Sequence, residues 1–236
     1  MIVSLVVFVV ILALSIPSAV IFIPLAVITG NVRPLYNVTC FIVRTGLRVA
    51  GIRVHLEGRE QVPAGRACIF MANHVSNLDP PTLISYLPGY TAAFSKRAIF
   101  KIPVFGYCLK LGEFIPVDRK GNAASAQVSV AAARRIIEKG LHITTFVEGT
   151  RSQDGRLLPF KKGPFYLATE TGAPCIPVSI YGTETMLAKG SFAIKPGTAH
   201  IVFHAPIYPA NYSTREELSE AVRASIASGL PEWMRG

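Results

Sequence analysis

The sequence predicts an α/β domain with a mixed, partly parallel sheet flanked by helices, preceded by an N-terminal membrane-embedded helical segment. Three observations carry that expectation. From residue 52 onward, short β-branched and apolar runs alternate with helical patterns, the order of a sheet built with crossover helices. No residue from Met1 to Val32 has a charged side chain. Residues 33–50 then separate arginines from apolar residues around a helix. The expected division is a membrane anchor over residues 1–50 and an α/β domain over residues 51–236.

The first element, residues 2–28, is almost continuously apolar. As one helix it would reach roughly 40 Å at ~1.5 Å per residue, enough for a bilayer core of ~30 Å. Pro17 and Pro24 can each kink or end such a helix. No basic side chain precedes the run, and the run is long, which argues against a secretory signal. In residues 33–50, Arg33, Arg44 and Arg48 share a face suited to lipid phosphates. Two arrangements remain open. One is a single span with the Arg33 side in the cytoplasm. The other is a kinked hairpin entering one leaflet.

Strands are expected over residues 52–57, 68–73, 90–94, 114–117, 142–146, 175–181 and 199–203. Each is a short apolar or alternating run bounded by turn residues. Helices are expected over residues 80–87, 102–109 and 163–171, and from a cap at Asn122 to Lys139, with Gly140 as the stop. Ser213 and Glu216 have capping-box spacing for a last helix, with Leu218, Val222 and Ile226 on its core face.

The 236 residues carry 24 Lys and Arg against 14 Asp and Glu, a net charge of +10. Such a balance calls for an anionic partner. No recognition helix, zinc finger or aromatic RNA-binding signature is present, so membrane lipid is the expected partner and nucleic acid is not. The four cysteines have no paired spacing. That argues against a disulfide framework and a zinc site, and fits a reducing compartment.

The chemistry concentrates where strands end. Asn73-His74-Val75-Ser76-Asn77-Leu78-Asp79-Pro80 follows the apolar strand at 68–73. A folded loop can bring the Asp79 carboxylate to the His74 ring, fixing one nitrogen and leaving the other as a base. The alternative is a histidine and a helix-capping aspartate that never meet. Phe146-Val147-Glu148-Gly149-Thr150-Arg151-Ser152 ends another strand. There Gly149 permits a close backbone approach, Arg151 offers a fork for a phosphate, and Glu148 can hold an arginine or a substrate hydroxyl. Lys96 and Arg119 also follow strands; Arg119 reads as a phosphate ligand or as a partner of Asp118. Lys161 and Lys162 read as a solvated turn. His55, His142, His200 and His204 read as structural or exposed. No second histidine has metal-ligand spacing to His74, and no nucleophile elbow is present, which disfavours zinc and serine hydrolases.

These blocks, in this order, resemble the glycerolipid acyltransferase family, closest to its bacterial 1-acyl-glycerol-3-phosphate acyltransferases. Asn73 to Asp79 resembles the family's catalytic box, and Gly112-Glu113-Phe114-Ile115-Pro116-Val117-Asp118-Arg119 its second block. The run from Phe146 to Ser152 resembles the third, with Val147 where proline is usual, and Ile176-Pro177-Val178 the fourth. The stretch from Ser95 to Pro103 is similar to a further family segment, with Ala98 in place of the usual glutamate. The resemblance implies transfer of an acyl group from a thioester to the sn-2 hydroxyl of lysophosphatidic acid, giving phosphatidic acid. In that scheme His74 is the general base and Asp79 orients it. Arg119 and Arg151, with Glu148, Gly149 and Thr150, hold the phosphate. Lys96 or a backbone N–H near His74 meets the oxyanion. The implied donor is acyl-CoA or acyl-carrier protein, with no cofactor and no metal. The implied location is the bacterial inner membrane, with the domain on the cytoplasmic side. Two alternatives stand beside it: another acceptor, such as glycerol-3-phosphate, a different lysophospholipid or an aminolipid, and a membrane lipid-binding protein without turnover.

Overall fold

The computed structural model describes residues 2–117, 123–187 and 190–236. Arg119, with its neighbour Asp118 and the proposed cap Asn122, lies outside the described residues. Seven strands form one sheet in the order β1-β7-β6-β2-β5-β3-β4. Strands β2 (Ile69–Ala72), β3 (Thr91–Lys96), β4 (Ile115–Val117), β5 (His142–Phe146) and β6 (Cys175–Tyr181) run parallel. β7 (Gly197–Phe203) is antiparallel to β6 and pairs in parallel with β1 (Ile52–Glu57), which makes the sheet mixed.

β2 lies in the middle and every one of its residues is buried. Its pleat divides the core. Ile69 and Met71 join the cluster that includes Ala133 of α5 (Ala123–Glu138), Leu167 of α6 (Gly163–Thr171) and Val222 of α8 (Arg215–Ser228). Phe70 and Ala72 face Leu83 of α3 (Asp79–Tyr86) and Phe203 of β7 on the other side. A strand with both faces covered has to be apolar throughout, which is why this run shows no alternation. Phe70→Ala would leave a cavity at a cost of roughly 3–5 kcal/mol.

The chain leaves β2 toward β3 on one side, and later leaves β5 for β6 on the other, crossing β2. The C-terminal end of β2 therefore sits where connections diverge, the place where open α/β sheets form clefts.

The N-terminal segment is a helical hairpin. α1 (Ile2–Thr29) continues unbroken through Pro17 and Pro24, and α2 (Arg33–Val49) returns against it. Gly46 allows the close approach: a Cβ there would lie 2.9 Å from Ile11 Cδ1. α1 is long and apolar enough to cross a membrane, yet its start is tied to the domain. Ser4 Oγ accepts from the Ile194 N–H at 2.9 Å, and Val7 packs with Leu47, Met186 and Ala199. α2 lies on α3, with the Tyr36 hydroxyl donating to the Ile84 carbonyl at 3.2 Å.

Four local expectations change. Arg44 does not face outward with Arg33 and Arg48: its guanidinium donates to the Ser85 carbonyl and lies over the Tyr86 ring. The helix expected from residue 102 begins later, as α4 (Phe105–Leu111), after a 3-10 turn at Arg97–Lys101. The capping box of α8 is Thr214 with Glu217, one residue along from Ser213 and Glu216. Asp79 is the first residue of α3 rather than an extended N-cap, and no side chain caps that helix.

Candidate active site

Asp79 leaves its own helix uncapped because its carboxylate turns back into the loop after β2. Oδ2 accepts from His74 Nδ1 at 2.8 Å and from the Val75 and Ser76 N–H groups, each at 2.7 Å. Oδ1 accepts from the Thr183 hydroxyl at 2.5 Å. Three certain donors surround this carboxylate, so it is an acceptor throughout. Nδ1 therefore carries the ring proton, and Nε2 keeps its lone pair. Asp79 is fully buried and His74 is 6% exposed. The pair is the orienting half of a base, with a proton acceptor at the ring's outer edge.

The loop is fastened on every side. Asn73 pairs with the Ile180 backbone through both ends of its amide, at 2.8 and 2.7 Å, joining the ends of β2 and β6. The His74 carbonyl accepts from the Ser152 N–H at 2.8 Å, and the His74 ring lies 4.3 Å from the Phe146 ring. Thr183 comes from the short helix α7 (Thr183–Met186) that follows β6. Asn73 and Phe146 lie inside the two motif runs but carried no assigned role there, and Thr183 lies outside both; all three are supporting residues. Asn73 and Thr183 act across more than 100 positions.

Glu148 belongs to the same scaffold. One carboxylate oxygen accepts from the His74 N–H at 2.8 Å and the other from the Leu158 N–H at 3.0 Å. It is 1% exposed, and burial pushes its carboxyl up to about 7, against the opposing pull of those two N–H groups. With both oxygens engaged behind His74, it stands as a brace between two strand-end loops.

The turn after β5 differs. Gly149 adopts φ +68°, and a Cβ there would meet Lys161 Cγ at 3.0 Å, so the lysine stem lies over the turn. Thr150 is exposed and Arg151 is half-buried. Among the described residues, Arg151 forms no hydrogen bond or ion pair. Lys161, which reads from sequence as part of a solvated turn, instead lies over Gly149. Lys96 is exposed at the end of β3, two strands from β2. Of the other histidines, His142 begins β5 at the opposite end of the sheet, and His200 pairs with Tyr181 at the end of β6. His142 Nδ1 accepts from the Cys68 N–H, and His204 Nε2 meets Ser179 Oγ at 2.7 Å. Burial lowers both of these histidines below the usual range. His55 lies 3.0 Å from Glu57, exposed on β1.

The family described as Acyltransferase matches residues 53–181. A chloroplastic 1-acyl-sn-glycerol-3-phosphate acyltransferase of Brassica napus is 34% identical over 180 residues, covering 75% of this chain and 51% of that protein. The alpha form of the same enzyme from Homo sapiens is 27% identical, over 77% of this chain and 65% of its own. The crystal structure of the 1-acyl-sn-glycerophosphate acyltransferase of Thermotoga maritima superposes with a TM-score of 0.74 at 29% identity, over 84% of this chain and 78% of that one. The chain spans about half of the length of the first of these relatives.

Proposed function

Because the chain belongs to the acyltransferase family, we propose that it acylates the sn-2 hydroxyl of lysophosphatidic acid, giving phosphatidic acid. The observation that carries the mechanism is the His74–Asp79 contact, with Nε2 left as the only uncommitted nitrogen. His74 takes the hydroxyl proton as the oxygen attacks the thioester carbonyl. Asp79 holds the ring and stabilises the imidazolium that forms. The collapsing intermediate expels the thiolate, which recovers the proton. Base catalysis of this kind is worth ~10²–10⁴-fold. The acyl group passes directly to the acceptor, so no acyl-enzyme forms.

Arg151 supplies a planar, unengaged fork for the phosphate, and Gly149 lets the backbone come close. Thr150 adds a hydroxyl and Lys96 a charge at the end of β3; the family resemblance adds Arg119 as a further phosphate ligand. Glu148 acts behind the site, holding the His74 backbone. The donor is a thioester of CoA or of an acidic carrier protein. The hairpin sits in one leaflet of the cytoplasmic membrane: Ser4, Val7 and Tyr36 hold both helices against the domain, which a helix crossing away from it would not allow.

The test compares lysophosphatidic acid with monoacylglycerol, which has the hydroxyl but not the phosphate. With wild-type protein in detergent, kcat/KM should fall about 100-fold or more for monoacylglycerol, the worth of a charge-assisted phosphate site. Arg151→Ala should narrow that gap. Equal rates on both acceptors would contradict a phosphomonoester specificity. Transfer to neither would favour lipid binding without turnover.

A further inference from the structure

β3 ends at the same edge of the sheet as β2, and the segment that follows it is unlike the buried loop at His74. Ile102, Val104, Phe105 and Tyr107 are 50%, 56%, 50% and 47% exposed, within six residues. A single exposed apolar side chain needs no explanation, but four on one small protrusion do. Lys101 and Lys110 flank them and are exposed, and neither forms an ion pair among the described residues.

The protrusion is preformed. Gly106 approaches so closely that a Cβ there would lie 2.2 Å from the Phe100 carbonyl oxygen. Its N–H donates to the Ile102 carbonyl at 2.7 Å. Val104 holds φ +61°, an unfavourable conformation for a β-branched residue, and one that turns its side chain out of the fold. A chain that only had to connect β3 to α4 would relax there. The strain persists because the surrounding backbone enforces it, a pattern associated with functional surfaces.

We propose that this tip is a second membrane contact, inserting its apolar residues into the interface of an anionic bilayer while Lys101 and Lys110 meet lipid phosphates. The combination of apolar tip and basic flank matches that surface in both polarity and charge. It rests on the reading of the protein as an enzyme of membrane lipids. Between the ends of β3 and β2 lies only β5, so the two ends are about 10 Å apart at ~4.8 Å per strand. A tip seated in the headgroups would hold the mouth of the site against the bilayer, and the acceptor hydroxyl could reach His74 with its acyl chain still in lipid.

The test uses the full chain reconstituted in phosphatidylglycerol-containing vesicles. Phe105→Trp in a Trp233→Phe background places the only tryptophan at the tip. Its emission should shift to the blue and be quenched by lipids brominated along the acyl chain. In parallel, Phe105→Ser should raise KM about tenfold for vesicle-bound lysophosphatidic acid, the lower end of what burying one aromatic side chain is worth. It should leave kcat/KM unchanged for a short-chain acceptor below its micelle concentration. An unshifted, unquenched tryptophan would overturn the proposal. So would a blue shift without bromolipid quenching in a dimeric protein, which would assign the tip to a second copy. Bromolipid quenching does not depend on turnover, so a wild type that acylates nothing would remove the proposed function and leave this contact standing.

Discussion

Two loops at the same edge of the sheet are built in opposite ways. The loop from His74 to Asp79 is buried, and its polar groups are matched by four elements: Asp79 on its own helix, Asn73 against β6, Glu148 beyond β5 and Thr183 on α7. The turn from Gly149 to Arg151 is open, with an exposed threonine and an arginine that has no partner among the described residues. The difference suits the roles proposed for the two loops. A base works only in one tautomer and one orientation, so its geometry is fixed before substrate arrives. A phosphate ligand must keep its donors uncommitted until the anion supplies the acceptors.

Substitutions in the two loops should therefore act differently. The largest effect, beyond the histidine itself, is expected from Asp79→Asn. The amide cannot accept from three donors at one oxygen or stabilise the imidazolium, so turnover should fall by roughly 10²–10⁴. Lysophosphatidic acid binding, measured separately, should change little. On the open side, Arg151→Ala should raise KM for lysophosphatidic acid about 10- to 100-fold, with kcat much less affected. Arg151→Lys should recover only part of that loss, because an ammonium lacks the planar fork. If instead Arg151→Ala lowered kcat alone, the turn would belong with the catalytic group.

Glu148, on the buried side, makes stability depend on pH. Its carboxyl sits at about 7 when folded, against 4.5 ordinarily. Between those values the folded state holds a proton that the unfolded chain has released. Its contribution to stability is therefore complete below about pH 4.5 and declines as pH rises toward 7. The full difference is about 3 kcal/mol at ~1.4 kcal/mol per unit. Chemical unfolding midpoints across that range should show the decline in wild type and a flatter profile in Glu148→Gln. The glutamine variant should also be less stable at low pH, by about 1–3 kcal/mol, since an amide can accept from one backbone N–H but not both. The smallest effect is expected from Thr183→Val. It removes one of four donors from Asp79, which should slow turnover only several-fold, a loss of about 1 kcal/mol.

Much of the architecture was legible in the sequence. The run at 68–73 has no polar residue before Asn73, so it had to be a strand covered on both faces, and the structure covers it. The family membership was legible too, from blocks whose order and spacing together are far more specific than any one of them. What escaped was non-local. The Asp79–Pro80 step also reads as a helix cap, whereas the carboxylate turns back to His74, Val75 and Ser76, and its other oxygen meets Thr183, 104 positions away and invisible to local pattern. Glu148 reads from sequence as a holder of an arginine or a substrate hydroxyl, yet both its oxygens go to backbone N–H groups, of His74 and of Leu158, 74 and 10 positions away. A helical wheel puts Arg44 with Arg33 and Arg48, but it cannot show that α3 lies across from it. The capping box slipped by one because Ser213 with Glu216 and Thr214 with Glu217 both fit the pattern.

The proposed mechanism requires a fixed His74 that removes the proton from the acceptor hydroxyl. It is tested most directly by measuring phosphatidic acid formed from lysophosphatidic acid and an acyl thioester, using purified wild type and His74→Ala with matched circular dichroism. Product from wild type and a loss of ~10²–10⁴-fold in the folded variant is the predicted result. Equal rates from the two proteins would contradict it.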